Sequence, residues 1–221
     1  MPIAPPPTPW VFPPHAEADE SGVIGIGADL EPGTLLHAYR NGIFPMHVRR
    51  NQLGWWSPDP RGVFLNGSLT VSKSLRKAVG RFEIRVDTAF LDVMRSCADP
   101  NRPHAWITTD IVRAYTELHR LGWAHSVETW RDGRLVGGLY GISIGGLFAG
   151  ESMFHRESDA SKAALVGLIG QLEDHPDTLV DCQWLTPHLA SLGAVALSRE
   201  DYLERLGRAL ARPLPNWFNT V

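Results

Sequence analysis

Cysteine is scarce: Cys97 and Cys182 are the only two in 221 residues. Two thiols cannot build the disulfide framework of a small secreted scaffold, and Cys182, within the apolar run TLVDCQ, reads as the reduced thiol of a core strand. Long apolar runs are also missing. The longest, such as ALVGLIG at 164–170, fall far short of the roughly 20 residues that a membrane helix needs. The opening MPIAPPPTPWVFPPH has neither a basic stretch nor a continuous apolar segment and does not read as a secretory signal. The expectation is a cytoplasmic protein with no membrane span. Excess positive charge is absent as well: the net charge is −3 at pH 7, which argues against a generally basic nucleic-acid binder. GIGADL at 25–30 lacks the third glycine of a dinucleotide loop, and no P-loop lysine follows any glycine run. His104, His125, His155 and His188 stand at no zinc-like spacing from the cysteines, and nothing around Ser152 and His155 marks a nucleophile elbow. Neither a metal nor an organic cofactor is expected.

What is present is an ordinary globular composition, 43% hydrophobic and 20% charged, long enough for one large domain or for a domain with a smaller companion. The charge is uneven. Residues 1–31 hold five acids and no Lys or Arg, whereas residues 32–81 hold Arg40, Arg49, Arg50, Arg61, Lys73, Arg76, Lys77 and Arg81 against Asp59 alone, a formal charge of about +7. Basic residues interleaved with Trp55 and Trp56 suit a surface that tracks phosphates and stacks bases, and equally suit a solvated face beside two core tryptophans.

Pro32–Asn41 reads as a short helix stopped by Gly42, and SPDPR at 57–61 as a linker, which places a boundary near residue 60. Beyond it GVFL, Lys73–Val79, FEIRV and Phe90–Ala98 suggest strand, helix, strand, helix. Asp110 can cap a helix running to Leu121, and HSVETW, the Asp132-Gly133 turn and RLVGGLYGISI form a strong hairpin. GLFAGES is a third strand; SDASKAALVGLIGQLEDH a helix; TLVDCQ a strand; SREDYLERLGRAL a capped final helix. Antiparallel strands followed by a helix and a further strand describe an α+β fold, with a small N-terminal domain at 1–60 and a larger one at 61–221.

Two apolar strands end in polar side chains. Strand residues alternate faces, so Leu179, Asp181 and Gln183 share one face of TLVDCQ, and Leu147, Ala149 and Glu151 one face of GLFAGES. If these strands are neighbours, Glu151, Asp181 and Gln183 converge on one cleft. Converging carboxylates can bind a metal, act as an acid/base pair or cradle a cation, and carboxylates at strand ends can also simply cap loops.

The stretches GIGADLEPGTLLHAYRNGIFPM, WWSPDPRGVF, AWITTDIVRAYTELHRLGWAHSVETW, VGGLYGISIGGLFAGESMFHRESDASKAAL and DCQWLTPHLASLGAVALSREDYL resemble, in order, the leucyl/phenylalanyl-tRNA–protein transferases. The resemblance runs from about residue 12 to residue 218. It implies transfer of Leu or Phe, with Met a further candidate, from the acceptor end of a charged tRNA to the N-terminal amine of a protein beginning with Arg or Lys, which marks that protein for degradation. It further implies a C-terminal domain that resembles the acetyltransferase (GNAT-like) fold; a monomer is the expectation for the assembly. By resemblance, Asp181, Gln183 and Glu151 fall on the reaction centre, and Trp106 on a residue packing against the terminal adenosine. Leu139, Met153, Leu165 and Val180 fall on the apolar pocket for the transferred side chain. The basic segment, with Arg76 and Lys77, becomes the expected tRNA track.

Two positions depart from the family pattern. Met46 stands where a stacking Trp is usual after GIFP, so stacking falls to Trp55 or Trp56, and Thr186 stands where Asn is usual. An unperturbed Asp is about four pKa units too acidic to serve an α-amine as base unless burial beside Glu151 raises it, so positioning of the amine is the expected contribution of the carboxylates, with Asp181 as general base the runner-up. Asp181→Asn is expected to slow transfer severely while leaving the fold and charged-tRNA affinity nearly intact. A CoA-dependent N-acetyltransferase is the alternative that the fold would permit, but its R-x-x-G-x-G/A signature fails at Leu139 in RLVGGL. A non-catalytic RNA-binding module would leave the polar strand ends without a task.

Overall fold

Proline fixes φ, and a run of prolines extends the chain without internal hydrogen bonds. In the computed structural model, which describes residues 1–49, 52–102, 106–172 and 177–213, the proline-rich start is accordingly an extended strap tied down at intervals. Ile3 N donates to Leu121 O at 2.8 Å, the Trp123 indole donates to Ile3 O, and Trp10 Nε1 donates to Asp29 Oδ2 at 2.7 Å. Phe12 packs edge-on against Trp55. Arg50 and His104, named above, lie outside the described residues.

The strap leads into a small antiparallel sheet of β1 (Val23–Ile26), β2 (Phe44–Arg49) and β3 (Gln52–Trp56), ordered β1-β3-β2. Between β1 and β2 runs α1 (Pro32–Arg40), which opens with Pro32 at its first turn and buries Leu35, Leu36, Ala38 and Tyr39. The larger region contains β4 (Arg61–Leu65), α2 (Lys73–Val79), β5 (Glu83–Val86), α3 (Phe90–Cys97) and α4 (Thr109–Arg120). It continues with β6 (Ala124–Arg131), β7 (Arg134–Ile144), β8 (Leu147–His155) and α5 (Ala160–Leu172). The chain closes with β9 (Leu179–Gln183), α6 (Pro187–Ser191), β10 (Val195–Leu197) and α7 (Arg199–Leu210). Among the described residues the second sheet has the order β10-β4-β9-β8-β7-β6-β5, antiparallel except for β8 and β9. Two parallel neighbours need a crossover, and α5, apolar along most of its length, supplies it.

The core divides by sheet face. Phe64, Phe148, Leu165, Leu168 and Val180 pack under α2 and α5, while the opposite face packs against α1, α3 and α4 and, further along, against α7 through Val63, Leu147, Leu179 and Leu206. The expected hairpin forms around Asp132 and Gly133, both at positive φ (50° and 71°), as a tight two-residue turn demands. The α4 cap differs from expectation: the Thr108 hydroxyl accepts from Ile111 N, and Asp110 lies in the first turn instead. The three-stranded sheet, α6 and β10 were not anticipated.

Two irregularities decide where the sheet opens. In the β7–β8 register, Gly141 faces Gly150 and Tyr140 faces Ser152, leaving Glu151 as an extra residue; in the β4–β9 register, Gly62 faces Gln183 and Val63 faces Asp181, leaving Cys182 extra. Such bulges bend a strand and re-aim its side chains. The recorded β8–β9 pairing ends at Ala149 and Asp181, one or two residues before these bulges. A Cβ on Gly141 would come within 2.2 Å of Ala149 O and 2.6 Å of the Phe148 ring. Gly141→Ala is therefore expected to push against the Glu151 bulge and to lower stability by about 1–3 kcal/mol. A urea midpoint equal to that of the unaltered protein would show that the bulge does not depend on this close approach.

Candidate active site

Arg61 and Asp181, at the ends of adjacent strands β4 and β9, form a fully buried ion pair, each side chain 1% exposed. Arg61 Nε and Nη2 donate to Asp181 Oδ1 and Oδ2 at 2.8 and 2.6 Å, Tyr202 OH donates to Oδ2 at 2.9 Å, and the main-chain N–H of Gln183 donates to Oδ1 at 2.9 Å. All four acceptor directions of the carboxylate are thus used. Arg61 Nη1 donates to Gly42 O, and the guanidinium lies over the rings of Phe44 and Tyr202.

The bulge on β8 directs Glu151 toward two tyrosines from different helices. Tyr39 OH, from α1, donates to Oε1 at 2.7 Å, and Tyr115 OH, from α4, donates to Oε2 at 3.2 Å. The two hydroxyls are also hydrogen-bonded to each other. Three groups therefore meet at three contacts. An ionised Glu151 leaves only the two phenolic protons to fill them, whereas a neutral one completes the ring. The carboxyl pKa is pushed up to about 8, chiefly by removal from water, with the charge of Asp181 adding to the rise and the tyrosine hydrogen bonds and Arg61 opposing it. Burial raises both tyrosine pKa values, and the charge of Glu151 adds to that rise.

Glu151, Asp181 and Gln183 line one cavity of about 250 Å³ whose other walls include Leu139, Met153, Leu165, Val180 and Thr186. Its size suits one apolar side chain better than a whole cofactor. Gln183 has a left-handed φ of 59°, which ends the strand's alternation, and its Nε2 is buried without a hydrogen-bond partner. An unpartnered amide donor in an apolar cavity is costly unless a ligand supplies the acceptor. Cys182 also lines the cavity, with burial pushing its thiol up to about 12, so it is no ready nucleophile.

The family described as leucyl/phenylalanyl-tRNA protein transferase matches residues 63–207, and that family's N-terminal domain matches residues 28–59. The chain belongs to the leucyl/phenylalanyl-tRNA–protein transferase family. A protein of that name from Thiobacillus denitrificans is 50% identical over 208 residues, 91% of each chain. Those from Aromatoleum aromaticum (47% over 222 residues; 96% of this chain and 90% of the relative) and Idiomarina loihiensis (45% over 213 residues; 94% and 90%) carry the same name. A solved structure described as that of L-PGS from Bacillus licheniformis aligns with a TM-score of 0.38 at 13% identity, over 72% of this chain and 54% of that one. The fold is a mixed α/β arrangement with a small N-terminal region and a larger domain.

Of the residues that the family resemblance singled out, eight share the cavity. Met46, Trp56 and Trp106 are half-buried and pack against the core cluster to which Tyr39 and Tyr115 belong. Three expectations need correction. Trp55 is 1% exposed and donates its indole N–H to Gly27 O, so it has no face to offer a base; any stacking in place of the missing Trp falls to Trp56, whose indole donates to Met46 O. Arg61, counted with the basic segment, is buried and paired and cannot track phosphates. Asp181 does not face a substrate with free oxygens, so the expectation that its amide variant would leave the fold nearly intact is reversed. Thr186 is the N-cap of α6, accepting from Leu189 N at 3.2 Å. Arg76 and Lys77 are exposed on α2 and line no part of the cavity. The R-x-x-G-x segment at Arg134–Leu139 lies inside β7, paired with β6 and β8, so its amides are not free for a pyrophosphate.

Removing one member of a buried pair leaves an uncompensated charge. Asp181→Asn and Arg61→Met are each expected to cost about 3–5 kcal/mol, and the double exchange that combines these same two substitutions less than the sum of the two. Additive losses in denaturant titrations would show that the pair is not a coupled unit.

Proposed function

We propose that the chain transfers Leu or Phe, with Met a further donor side chain, from aminoacyl-tRNA to the N-terminal amine of proteins beginning with Arg or Lys, and so creates a degradation signal. The observation that carries this reading is the pairing, in one apolar cavity, of a carboxyl whose pKa is near that of an α-amine with an amide donor that lacks a partner. Leu139, Met153, Leu165 and Val180 would hold the transferred side chain. Trp106, Trp56 and Met46 would flank the terminal adenosine, and Trp184, 37% exposed and edge-on to both Phe44 and Trp56, extends that aromatic group beside Gln183. Arg76 and Lys77 remain the proposed contacts for more distant phosphates.

The ester is already activated, so the chemistry consists of supplying a neutral amine and stabilising the adduct. The amine nitrogen attacks the ester carbonyl carbon, forming the C–N bond, and the carbonyl oxygen takes up charge that Gln183 Nε2 is placed to receive as a hydrogen-bond donor. Glu151 accepts the proton that the amine releases. As the adduct collapses the C–O bond to the ribose breaks, and a proton returned through the Glu151–Tyr39–Tyr115 ring satisfies the leaving oxygen. No redox partner enters the balance. Asp181, locked by Arg61, acts by fixing the backbone turn at Gln183 rather than by touching the amine. Residues 1–60 and 61–221 act in this reading as two cooperating domains of a cytoplasmic monomer.

The test is direct: purified protein, tRNA charged with labelled Leu and a peptide beginning with Arg should give labelled peptide. No label, or acetylation of the peptide from acetyl-CoA, would defeat the reading. Gln183→Ala is expected to lower kcat by about 10²–10³. Glu151→Gln is expected to lower it by about 10²–10⁴ and to leave a pH dependence set by ionisation of the α-amine alone. Stability supplies an independent check on sign. A carboxyl raised to about 8 by folding contributes stability that is fully present below the ordinary Glu range and is lost as pH climbs through 8. The Glu151→Gln protein should therefore gain on the unaltered protein between about pH 5 and 9 in pH-resolved denaturation; a constant difference across that range would refute the raised pKa.

A further inference from the structure

Beyond the reaction cavity, a second and larger cavity of about 900 Å³ opens between the end of α3 and the far end of β8. It is lined by Arg95, Ser96, Arg102, Leu135, His155 and Arg156, together with Asp92 and Asp99. The two acids are already engaged: Asp92 lies 3.7 Å from Arg95, and Asp99 accepts from the backbone and side chain of Asn101. Arg102 and Arg156 are different. Arg102 donates to Cys97 O and Met153 O at 2.8 and 2.6 Å and approaches Ser152 Oγ at 3.4 Å; Arg156 donates to Leu135 O at 2.8 Å and Ser96 Oγ at 2.9 Å, with its guanidinium over the Phe154 ring. Among the described residues neither has a carboxylate within ion-pair distance. Two guanidiniums held in fixed orientation by neutral acceptors, and left with their charge, form a site for an anion.

Their position relates them to the reaction centre. Arg102 is bonded to Ser152 and Met153, the two residues after Glu151, and Met153 forms part of the reaction-cavity wall. Arg156 stands five residues along the chain from Glu151, roughly 16 Å at about 3.3 Å per strand residue. A polyanion whose terminal ester lies at Glu151 can pass along this end of β8 and meet Arg102 first and Arg156 next. We propose that this cavity is the subsite for the phosphodiesters of the last nucleotides of the charged tRNA, with Arg102 and Arg156 as phosphate ligands. The inference rests on the transferase reading above and adds to it a path for the 3′ strand that charge counting, which pointed to residues 32–81, did not find.

Coenzyme A offers phosphate chemistry of the same kind, and the experiment separates the two sources. Transfer rates from two donors are compared: leucyl-adenosine, which has no phosphate, and a leucylated CCA trinucleotide, which has two phosphodiesters. The unaltered protein should prefer the trinucleotide in kcat/KM, and Arg156→Gln should reduce that ratio about tenfold. The same exchange should flatten the dependence of trinucleotide affinity on log salt by about 0.7 for the one contact removed. An unchanged ratio and slope, or a loss that strikes both donors equally, overturns the subsite; so does displacement of uncharged CCA trinucleotide by an equal concentration of coenzyme A. Should the unaltered protein transfer from neither donor, the transferase reading fails on its own, and binding of uncharged CCA still decides the subsite. Weaker and less salt-dependent binding to Arg156→Gln would support it, and equal binding would overturn it.

Discussion

The buried pair of Arg61 and Asp181 is the constraint on which the rest of the site hangs. Taking two charges out of water costs several kcal/mol per ion, and the protein offsets this with a bidentate contact, a tyrosine hydroxyl, a backbone N–H and a backbone carbonyl, so that few polar directions remain unused. Those partners come from the turn after α1, from β4, from β9 and from α7. A pair of well-packed apolar residues could hold the same four segments with comparable stability. What it could not supply is the carboxylate oxygen that accepts from Gln183 N where the chain turns left-handed. The ion pair thus buys geometry at a residue that needs it.

The opening in the sheet follows from the two bulges. A parallel pair continued past Ala149 and Asp181 would have satisfied its backbone groups in a ladder and filled the space between strands. Instead each strand inserts one residue, the strands part, and a cavity lined by apolar side chains from β7, β8, β9 and α5 takes their place. Two residues beyond the bulge, Met153 O accepts from Arg102.

Much of the larger region was legible in the sequence because local rules and long-range packing agree there. The Asp132-Gly133 turn, the capped α7 and the apolar α5 carry signals that tertiary contacts do not override. The small sheet was hidden: its strands are four to six residues long, β2 contains Pro45 and β3 contains Gly54, both depleted in strands. At the site, the period of two put Asp181 and Glu151 each on one face of its strand, and the β8–β9 pairing supplies the adjacency that the sequence reading could only make a condition. Tyr39 and Tyr115 could not be found in that way. Each lies on the apolar face of its helix, where a tyrosine is ordinary core, and the task of its hydroxyl is defined only when α1, α4 and β8 meet. Arg61 shows the converse error, since counting charges along the chain cannot tell a solvated guanidinium from one buried against a carboxylate 120 residues away.

The ring formed by Glu151, Tyr39 and Tyr115 also bears on why an acid too weak to be ionised at rest can serve an amine. With three protons for three contacts, the neutral carboxyl is the satisfied state, and a cavity holding a neutral acid repels no apolar side chain. An α-ammonium arriving beside Glu151 changes the balance, because an opposite charge within a few ångströms favours the carboxylate. The proton that then leaves the ring passes to solvent, and it and the proton that the amine later gives to Glu151 belong to one coupled titration rather than to two independent groups. In the proposed reaction the base is therefore made available by the substrate it serves. Because Tyr39 comes from α1 and Glu151 from β8, that coupling requires the small N-terminal region and the larger domain together: neither contains the complete proton path by itself.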